Sequence, residues 1–472
     1  MTNNERCNGR TDLGIDLAPG HFRYNPAMIT KIGLKNFKLH SETNLDATTV
    51  TVFIGPNNSG KSSVFQSLLL WRQAAVRGDS RLCIGSVSRV PLDEDQPYVF
   101  APDQIFDSGE FNQVSRGGRS EITLSVAGAI PSKRRIAYFP GATLGSFEVR
   151  VRENGLVYQG GIINYNAQSI AVGGEVHWRW IQGQPPQQVA VPLALGGLNA
   201  NVQLQAQQNF RLLDPAGVTF TGVLPVEDSI NLQEFMNELS RAPLNFLNSI
   251  HAVFPLRGFE QAGYPLAEPA DSIDRIGLAD RTIALLSVLA YNRQIEQRLS
   301  SWLEELVGVG IEIKLLPGKR VTLLSSAPKT GRDNPLFSGE GTGANQLPFI
   351  LVPIGLTPEN ETVLLSEPEV HLHPRAQTTL TKLLVDLANK EKRQFFIETH
   401  SEHVLHALLH SVATGAIKRE DLTIYYFERD NGTTSCKKLD VDDAGGVEGG
   451  LPGFFDQSLG ELAEYLDALK RQ

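Results

Sequence analysis

The 472 residues suffice for two to three domains, and 41% hydrophobic with 20% charged residues is the composition of an ordinary globular chain. The net charge of −9 excludes a chain-wide basic field for nucleic acid, leaving only a local patch for such contacts. Three cysteines, Cys7, Cys83 and Cys436, have no metal-ligand spacing and exclude a disulfide framework, and no apolar run is long enough to cross a bilayer, so a cytoplasmic protein with no membrane partner is expected.

Residues 1–28 are polar with scattered glycine and proline, and a loosely attached extension is expected there. Ile29 to Lys38 alternates apolar and polar residues as a half-buried strand does. Val50-Thr51-Val52-Phe53-Ile54 reads as a buried strand, and it feeds Gly55-Pro56-Asn57-Asn58-Ser59-Gly60-Lys61-Ser62. That text is the phosphate-binding pattern of glycine, four residues, glycine, lysine and serine. From Ser63 to Trp71 the apolar residues Val64, Phe65, Leu68, Leu69 and Trp71 fall at helical spacing. In a strand–loop–helix unit of this kind, glycines let backbone N–H groups and the helix N-terminus face an anion. Lys61 then reaches the β- and γ-phosphates and the Ser62 hydroxyl sits on Mg²⁺. A glycine-rich turn with a surface lysine is the competing reading, and the flanking strand and helix weigh against it. The segment Gly55 to Ser63 is therefore expected to bind a nucleoside triphosphate.

Glu121 to Val126 is a further strand pattern. Gln113 lies on the loop before it, where a glutamine can touch Mg²⁺ or the attacking water, or simply be a solvated loop residue. From about Ile136 to Ala200, short alternating runs broken by glycine predict an antiparallel β insertion. Lys133-Arg134-Arg135 near its start could bind phosphate or form a solvated turn. Helical periodicity is expected over Ile230–Ile250 and Asp280–Leu306.

After Pro335, Ser338 to Gln346 is a glycine-rich loop opening the apolar segment Leu347 to Ile354. Thr362 to Leu365 reads as a buried parallel strand with Ser366-Glu367-Pro368-Glu369 at its C-terminal end, where ligands gather in an open α/β sheet. His371-Leu372-His373-Pro374 turns the chain into a helix. The two histidines suggest metal or, with no third ligand nearby, a shaped loop. Gln394 to Glu398 is another strand, ending at Thr399-His400-Ser401 and followed by a helix. Leu422 to Glu428 is a strand, and Asp430-Asn431-Gly432 signals a hairpin into Ser435 to Val441. Strands alternating with helices predict an α/β fold with a doubly wound sheet.

Lys61 and Glu367 are 367 − 61 = 306 residues apart, with a glycine loop just before the acidic strand and a histidine after the next one. That order, with the texts Leu365-Ser366-Glu367-Pro368-Glu369-Val370-His371-Leu372-His373-Pro374 and Glu398-Thr399-His400-Ser401, resembles the ABC-type ATPases of the SMC, RecF and overcoming-lysogenization-defect branch. Pro255-Leu256-Arg257 adds to the likeness, and Gly450 to Asp456 resembles an uncharacterised C-terminal module of bacterial predicted ATPases. The resemblance implies an ABC-type head, a doubly wound sheet plus an antiparallel β region, carrying an inserted β-rich and helical region. The expected division is 1–28 extension, 29–135 first ATPase part, 136–334 insertion, 335–441 second ATPase part and 442–472 tail. It implies ATP and Mg²⁺ as ligands, with Ser62 and Gln113 on the metal. Glu367 is implied as the carboxylate that polarises the attacking water, and His400 as the histidine at the γ-phosphate. Residues 339–346, with Gly341, Gly343 and Asn345, would form the signature loop that reaches the nucleotide of a second subunit, so a homodimer or higher homo-oligomer is expected.

Two positions depart from that pattern. Ser366 stands where the branch has an acid beside Mg²⁺, and Asn345 where the signature loop has a serine. Both point to slow turnover, and restoring the acid with Ser366→Asp is expected to raise it. Stand-alone ATPases of this branch resemble sensor subunits of bacterial anti-phage systems of the PARIS and Septu types. The likeness implies a separate effector, a nuclease or toxin, and a phage protein or DNA as trigger. The alternative is a RecF-like DNA repair ATPase that clamps DNA, which the acidic composition does not favour. An ABC transporter motor is a third reading, opposed by the β insertion and the His-Leu-His-Pro text.

Overall fold

The computed structural model describes residues 29–77, 111–117, 121–130, 143–153, 155–167, 172–181, 189–195, 198–206, 218–221, 244–253, 258–259, 261, 263–269, 273, 280–326, 334–448 and 450. The expected N-terminal extension, Lys133-Arg134-Arg135, Pro255-Leu256-Arg257 and most of the tail lie outside these residues.

The phosphate loop follows the strand β3 (Val50–Ile54) and opens the helix α1 (Lys61–Arg77). β3 sits inside a six-stranded sheet with β11 (Ile250–Val253), β15 (Thr362–Ser366), β16 (Gln394–Glu398), β17 (Leu422–Asp430) and β18 (Thr433–Leu439), in the order β11-β15-β16-β3-β17-β18. All pairings are parallel except β17–β18, the hairpin turned by Asn431 and Gly432 in left-handed conformation. Strands buried on both faces must be apolar throughout, and the sequences VTVFI, TVLLS and QFFIE meet that need.

Alternation along these strands divides the interior. Phe53, Leu364, Phe396, Tyr425 and Phe427 face one core with α1 and the antiparallel strands. Val52, Ile54, Val363, Leu365, Phe395 and Ile397 face the other, built on the helices α3 (Arg281–Tyr291), α4 (Arg293–Val307), α5 (Thr342–Leu356), α6 (Pro374–Lys390) and α7 (Glu402–Ala413). Between them in the chain, the short α2 (Phe111–Val114) precedes the antiparallel strands. From Ser63 to Ala74 α1 is buried except at Gln66, with Val64, Phe65, Leu69, Trp71 and Ala74 at most 1% exposed, as suits a helix packed between sheets.

The second sheet is antiparallel, in the order β2-β1-β4-β5-β6-β7: β2 (His40–Asp46), β1 (Ile29–Phe37), β4 (Ile122–Ile130), β5 (Thr143–Arg152), β6 (Gly155–Ala167) and β7 (Val172–Ile181). The α/β class, with a doubly wound sheet and an antiparallel region, is as expected. β5 pairs directly with β4, so the sheet runs without interruption past position 135. β8 (Val189–Leu195), β9 (Leu198–Ala206) and β10 (Val218–Thr221) form a separate three-stranded sheet. β12 (Tyr264–Pro265), β13 (Gly310–Leu316) and β14 (Arg320–Ser326) form another.

Two helix expectations change. Residues 244–248 are helical, but Ile250 begins β11, the edge strand beside β15. Its apolar text IHAV carries no period and takes the strand state from its neighbour. The long helix over 280–306 is two: Asn292 leaves helical geometry and its side chain accepts the Ile295 N–H, ending α3 and capping α4.

Candidate functional site

Gly55 and Gly60 both have positive φ, 134° and 102°, and a side chain on either would collide, at Gly55 with the Phe427 carbonyl and at Gly60 with Thr434. The loop is therefore pinned from behind by the β17–β18 hairpin. The Thr434 hydroxyl donates to the Ser59 carbonyl at 2.8 Å, and the fully buried His40 ring contacts the Gly60 carbonyl through Nε2 at 3.0 Å and Thr43 Oγ1 through Nδ1 at 2.9 Å. Pro56, Asn57, Asn58 and Ser62 are exposed, while Ser59, Gly60, Lys61 and Ser63 are buried. The Lys61 ammonium donates to the carbonyls of Gly55 (3.0 Å) and Pro56 (2.8 Å). Burial pushes its pKa down, opposed by the nearby carboxylates of Glu398, Glu367 and Glu369.

His40 makes the loop acid-sensitive. Burial pushes its pKa from 6.5 to about 4. The unfolded chain therefore binds the extra proton first, and stability present above pH 6.5 is lost as pH falls towards 4. The shift corresponds to about 3 kcal/mol at most. Thermal melting at pH 7 and pH 5 is expected to show a smaller drop for His40→Gln than for the parent; equal drops would remove His40 as the cause.

The acidic groups gather at the C-terminal ends of β15 and β16. Ser366, Glu398 and Phe53 lie in one row across β15, β16 and β3. The Glu398 carboxylate is 2% exposed and bridges two hydroxyls: Ser62 Oγ donates to Oε1 at 2.5 Å and Ser366 Oγ to Oε2 at 2.9 Å. Burial raises its pKa, and the two hydroxyls and Lys61 oppose that rise. Glu367 has a left-handed backbone (φ 47°), rare for a residue with a side chain and typical of strain held at a functional site. Its Oε1 is 3.6 Å from His400 Nε2, both residues being about one third exposed. Burial and the Lys61 charge lower the His400 pKa, so the ring is neutral at pH 7. Glu369 is a scaffold: its Oε1 accepts from Thr399 Oγ1 (2.7 Å) and the His400 N–H (2.8 Å), fixing the turn that presents the histidine. Burial raises its pKa.

The other expected site residues are placed as follows. Gly341 caps α5, and Gly343 and Asn345 lie in its first turn. Gly343 packs on the His371 carbonyl so closely that a Cβ would sit 2.5 Å from that oxygen. Asn345 accepts the Phe259 N–H at 2.9 Å and donates to the Phe259 carbonyl at 3.3 Å, a two-point clasp within its own chain. Gln113 is exposed on α2, and no contact from it to the phosphate loop occurs among the described residues. His373 caps α6, its Nδ1 accepting the Arg375 N–H, while His371 has φ 62° in the preceding turn. Among the described residues no group of three or more His, Cys, Asp or Glu is arranged to hold a metal. Sequence reasoning missed Glu398 as an acid of the site, and His40 and Thr434 as its supports. The sequence places Glu398 at the end of a buried strand, but its position level with Ser366 follows only from the strand order.

Loop, lysine, acidic strand ends and histidine thus converge from segments over 300 residues apart. A family model described as an AAA ATPase domain matches residues 28–94 and 348–405, the two segments that carry them. These two segments are therefore similar to an AAA ATPase domain that is split in the sequence. Residues 417–464 match a second family, described as a protein of unknown function (DUF3696). No curated protein matches the chain. Similar solved structures include an SMC head bound to the C-winged helix domain of ScpA (13% identity, TM-score 0.42, covering 88% of this chain and 99% of that one). Two others are the SMC head domain from Thermotoga maritima (12%, 0.37, 88% and 100%) and the Pyrococcus furiosus Smc head with an extended coiled coil bound to the C-terminal domain of ScpA (10%, 0.40, 94% and 99%). Likenesses this distant carry nothing further about the site. No helix among the described residues is long and apolar enough to cross a membrane.

Proposed function

We propose that the chain is an ABC-type ATPase that binds ATP with Mg²⁺, hydrolyses it slowly, and assembles through the nucleotide as a homodimer or larger ring. The observation that carries this reading is the convergence of Lys61, Ser62, Glu367 and His400 at the ends of three adjacent parallel strands. Lys61 and the loop amides from Gly55 to Ser63 hold the phosphates. Ser62, with Gln113, would hold Mg²⁺, which when bound neutralises charge developing on the phosphate oxygens. Glu367 orients the attacking water and takes its proton, and neutral His400, hydrogen-bonded through its backbone to Glu369, is free to donate to the γ-phosphate. Gly341, Gly343 and Asn345 would meet the nucleotide of the opposing subunit. The clasp of Asn345 on Phe259 supports slow turnover, because its polar group must leave an intrachain partner to do so.

By its resemblance to stand-alone ATPases of anti-phage systems, the chain would serve as sensor or scaffold, controlling a separate nuclease or toxin in response to a phage protein or DNA. The wild-type chain in light scattering is expected to dimerise or form a larger assembly with ATP and Mg²⁺, and the same preparation to leave nucleic acid uncut. A strict monomer under both conditions would overturn the assembly; nuclease action lost on mutating this chain would overturn the separate effector.

A further inference from the structure

The first turn of α1 presents Ser62, the hydroxyl that the phosphate-loop pattern assigns to a divalent metal, but the strand end facing it in the expected place, Ser366, carries no charge. Three acids lie nearby, and their partners separate them. Glu369 has one oxygen committed to Thr399 and the His400 N–H, on the far side of the turn. Glu367, thrown outward by its left-handed backbone, faces His400. Only Glu398 meets the Ser62 hydroxyl directly, at 2.5 Å, and its second oxygen is fixed by Ser366 at 2.9 Å. β16 runs between β3 and β15, so the end of this middle strand is the one place from which a single carboxylate reaches both hydroxyls. The residue is only 2% exposed and its hydrogen-bond donors are both neutral hydroxyls; the nearby Lys61 ammonium offsets its charge but donates to the Gly55 and Pro56 carbonyls, so a cation bound directly to the carboxylate would complete the arrangement. A hydroxyl and a carboxylate side by side are oxygen donors of the kind Mg²⁺ prefers.

We propose that Glu398 supplies the carboxylate of the Mg²⁺ shell in this ATPase, one strand away from the position where an acid is missing, and that Ser366 is a positioning residue that orients it. The proposal rests on the ATP–Mg²⁺ reading of the site. It reverses the expectation for Ser366→Asp. That change removes the hydroxyl that orients Glu398 and sets a second carboxylate beside it, and until a metal lies between them the two like charges repel. The charge can instead be moved: Glu398→Gln with Ser366→Asp keeps one carboxylate and shifts it from β16 to β15.

The test measures binding rather than turnover. ATP affinity of the full chain is titrated in EDTA, and Mn²⁺ affinity of the ATP complex is read by electron paramagnetic resonance, for wild type, both single variants and the double variant. Glu398→Gln is expected to leave ATP affinity in EDTA unchanged or better and to weaken Mn²⁺ by at least about 10-fold. Ser366→Asp alone is expected to give no gain in Mn²⁺ affinity, and the double variant to recover at least part of the loss. Mn²⁺ affinity in Glu398→Gln within twofold of wild type, or tightening by Ser366→Asp alone, overturns the assignment while leaving ATP binding in place. A wild-type chain that binds no ATP in either condition overturns the nucleotide reading and the assignment with it. If Glu398→Gln does not fold, Glu398→Asp, which withdraws the carboxylate by one methylene, carries the same expectation of weakened Mn²⁺.

Discussion

Lys61→Ala is expected to lower ATP affinity by about 30-fold to several thousand-fold, because removing one partner of a buried charge pair costs about 2–5 kcal/mol. The side chain is 3% exposed and is the only cation in the phosphate loop, and it stands against the field of Glu398, Glu367 and Glu369. Without it, the negative field of the three carboxylates acts on the phosphates of ATP with no compensating charge at the loop. The fold is expected to persist, since Thr434 and His40 hold the loop from behind through the backbone of Ser59 and Gly60. Titration with a fluorescent ATP analogue, alongside a melting curve, checks both halves. Wild-type affinity in the variant would remove the loop as the nucleotide site.

Glu367→Gln acts on the other side of the reaction. It keeps the shape of the side chain and removes its ability to take a proton, so hydrolysis is expected to slow by about 10²- to 10⁴-fold. ATP itself should stay bound, because Glu367 faces His400 and not the loop. The variant is therefore expected to accumulate as the ATP-loaded assembly, visible as retained nucleotide after gel filtration and as a larger species. Steady-state hydrolysis at the wild-type rate would show that the proton goes elsewhere. Glu369 would be an awkward substitute, since the turn that presents His400 depends on its carboxylate.

The candidate phosphate site was legible where chemistry follows local text. Val50 to Trp71 reads as strand, glycine loop and helix because period, glycine spacing and the lysine–serine pair all lie within one short segment, and the structure returns those elements at those positions. The buried strands ending at Ser366 and Glu398 were legible for the same reason. β2 was not: HSETNLD is polar, and it becomes a strand because β1 offers it an edge. The role of Glu398 was hidden because it depends on strand order. Ser62 and Glu398 are 336 positions apart, and only the placement of β16 beside β3 brings them to 2.5 Å. The break at Asn292 was hidden too, because apolar spacing continues through it while the backbone does not.

The position of β3 bears on how the protein is made. Its two neighbours, β16 and β17, begin at Gln394 and Leu422, so after Ile54 leaves the ribosome another 394 − 54 = 340 residues must follow before the first of them arrives. At a synthesis rate of about 5–20 residues per second, that is a delay of roughly 20 to 70 s. Throughout it, VTVFI is an apolar strand with neither edge paired, the kind of segment that aggregates or recruits chaperones. The antiparallel strands β1, β2 and β4 are complete by residue 130, but none of them pairs with β3. A nascent chain interrupted before β17 would thus carry the phosphate-loop text without the β17–β18 hairpin that pins the loop from behind, so the loop is completed late in the synthesis of each molecule.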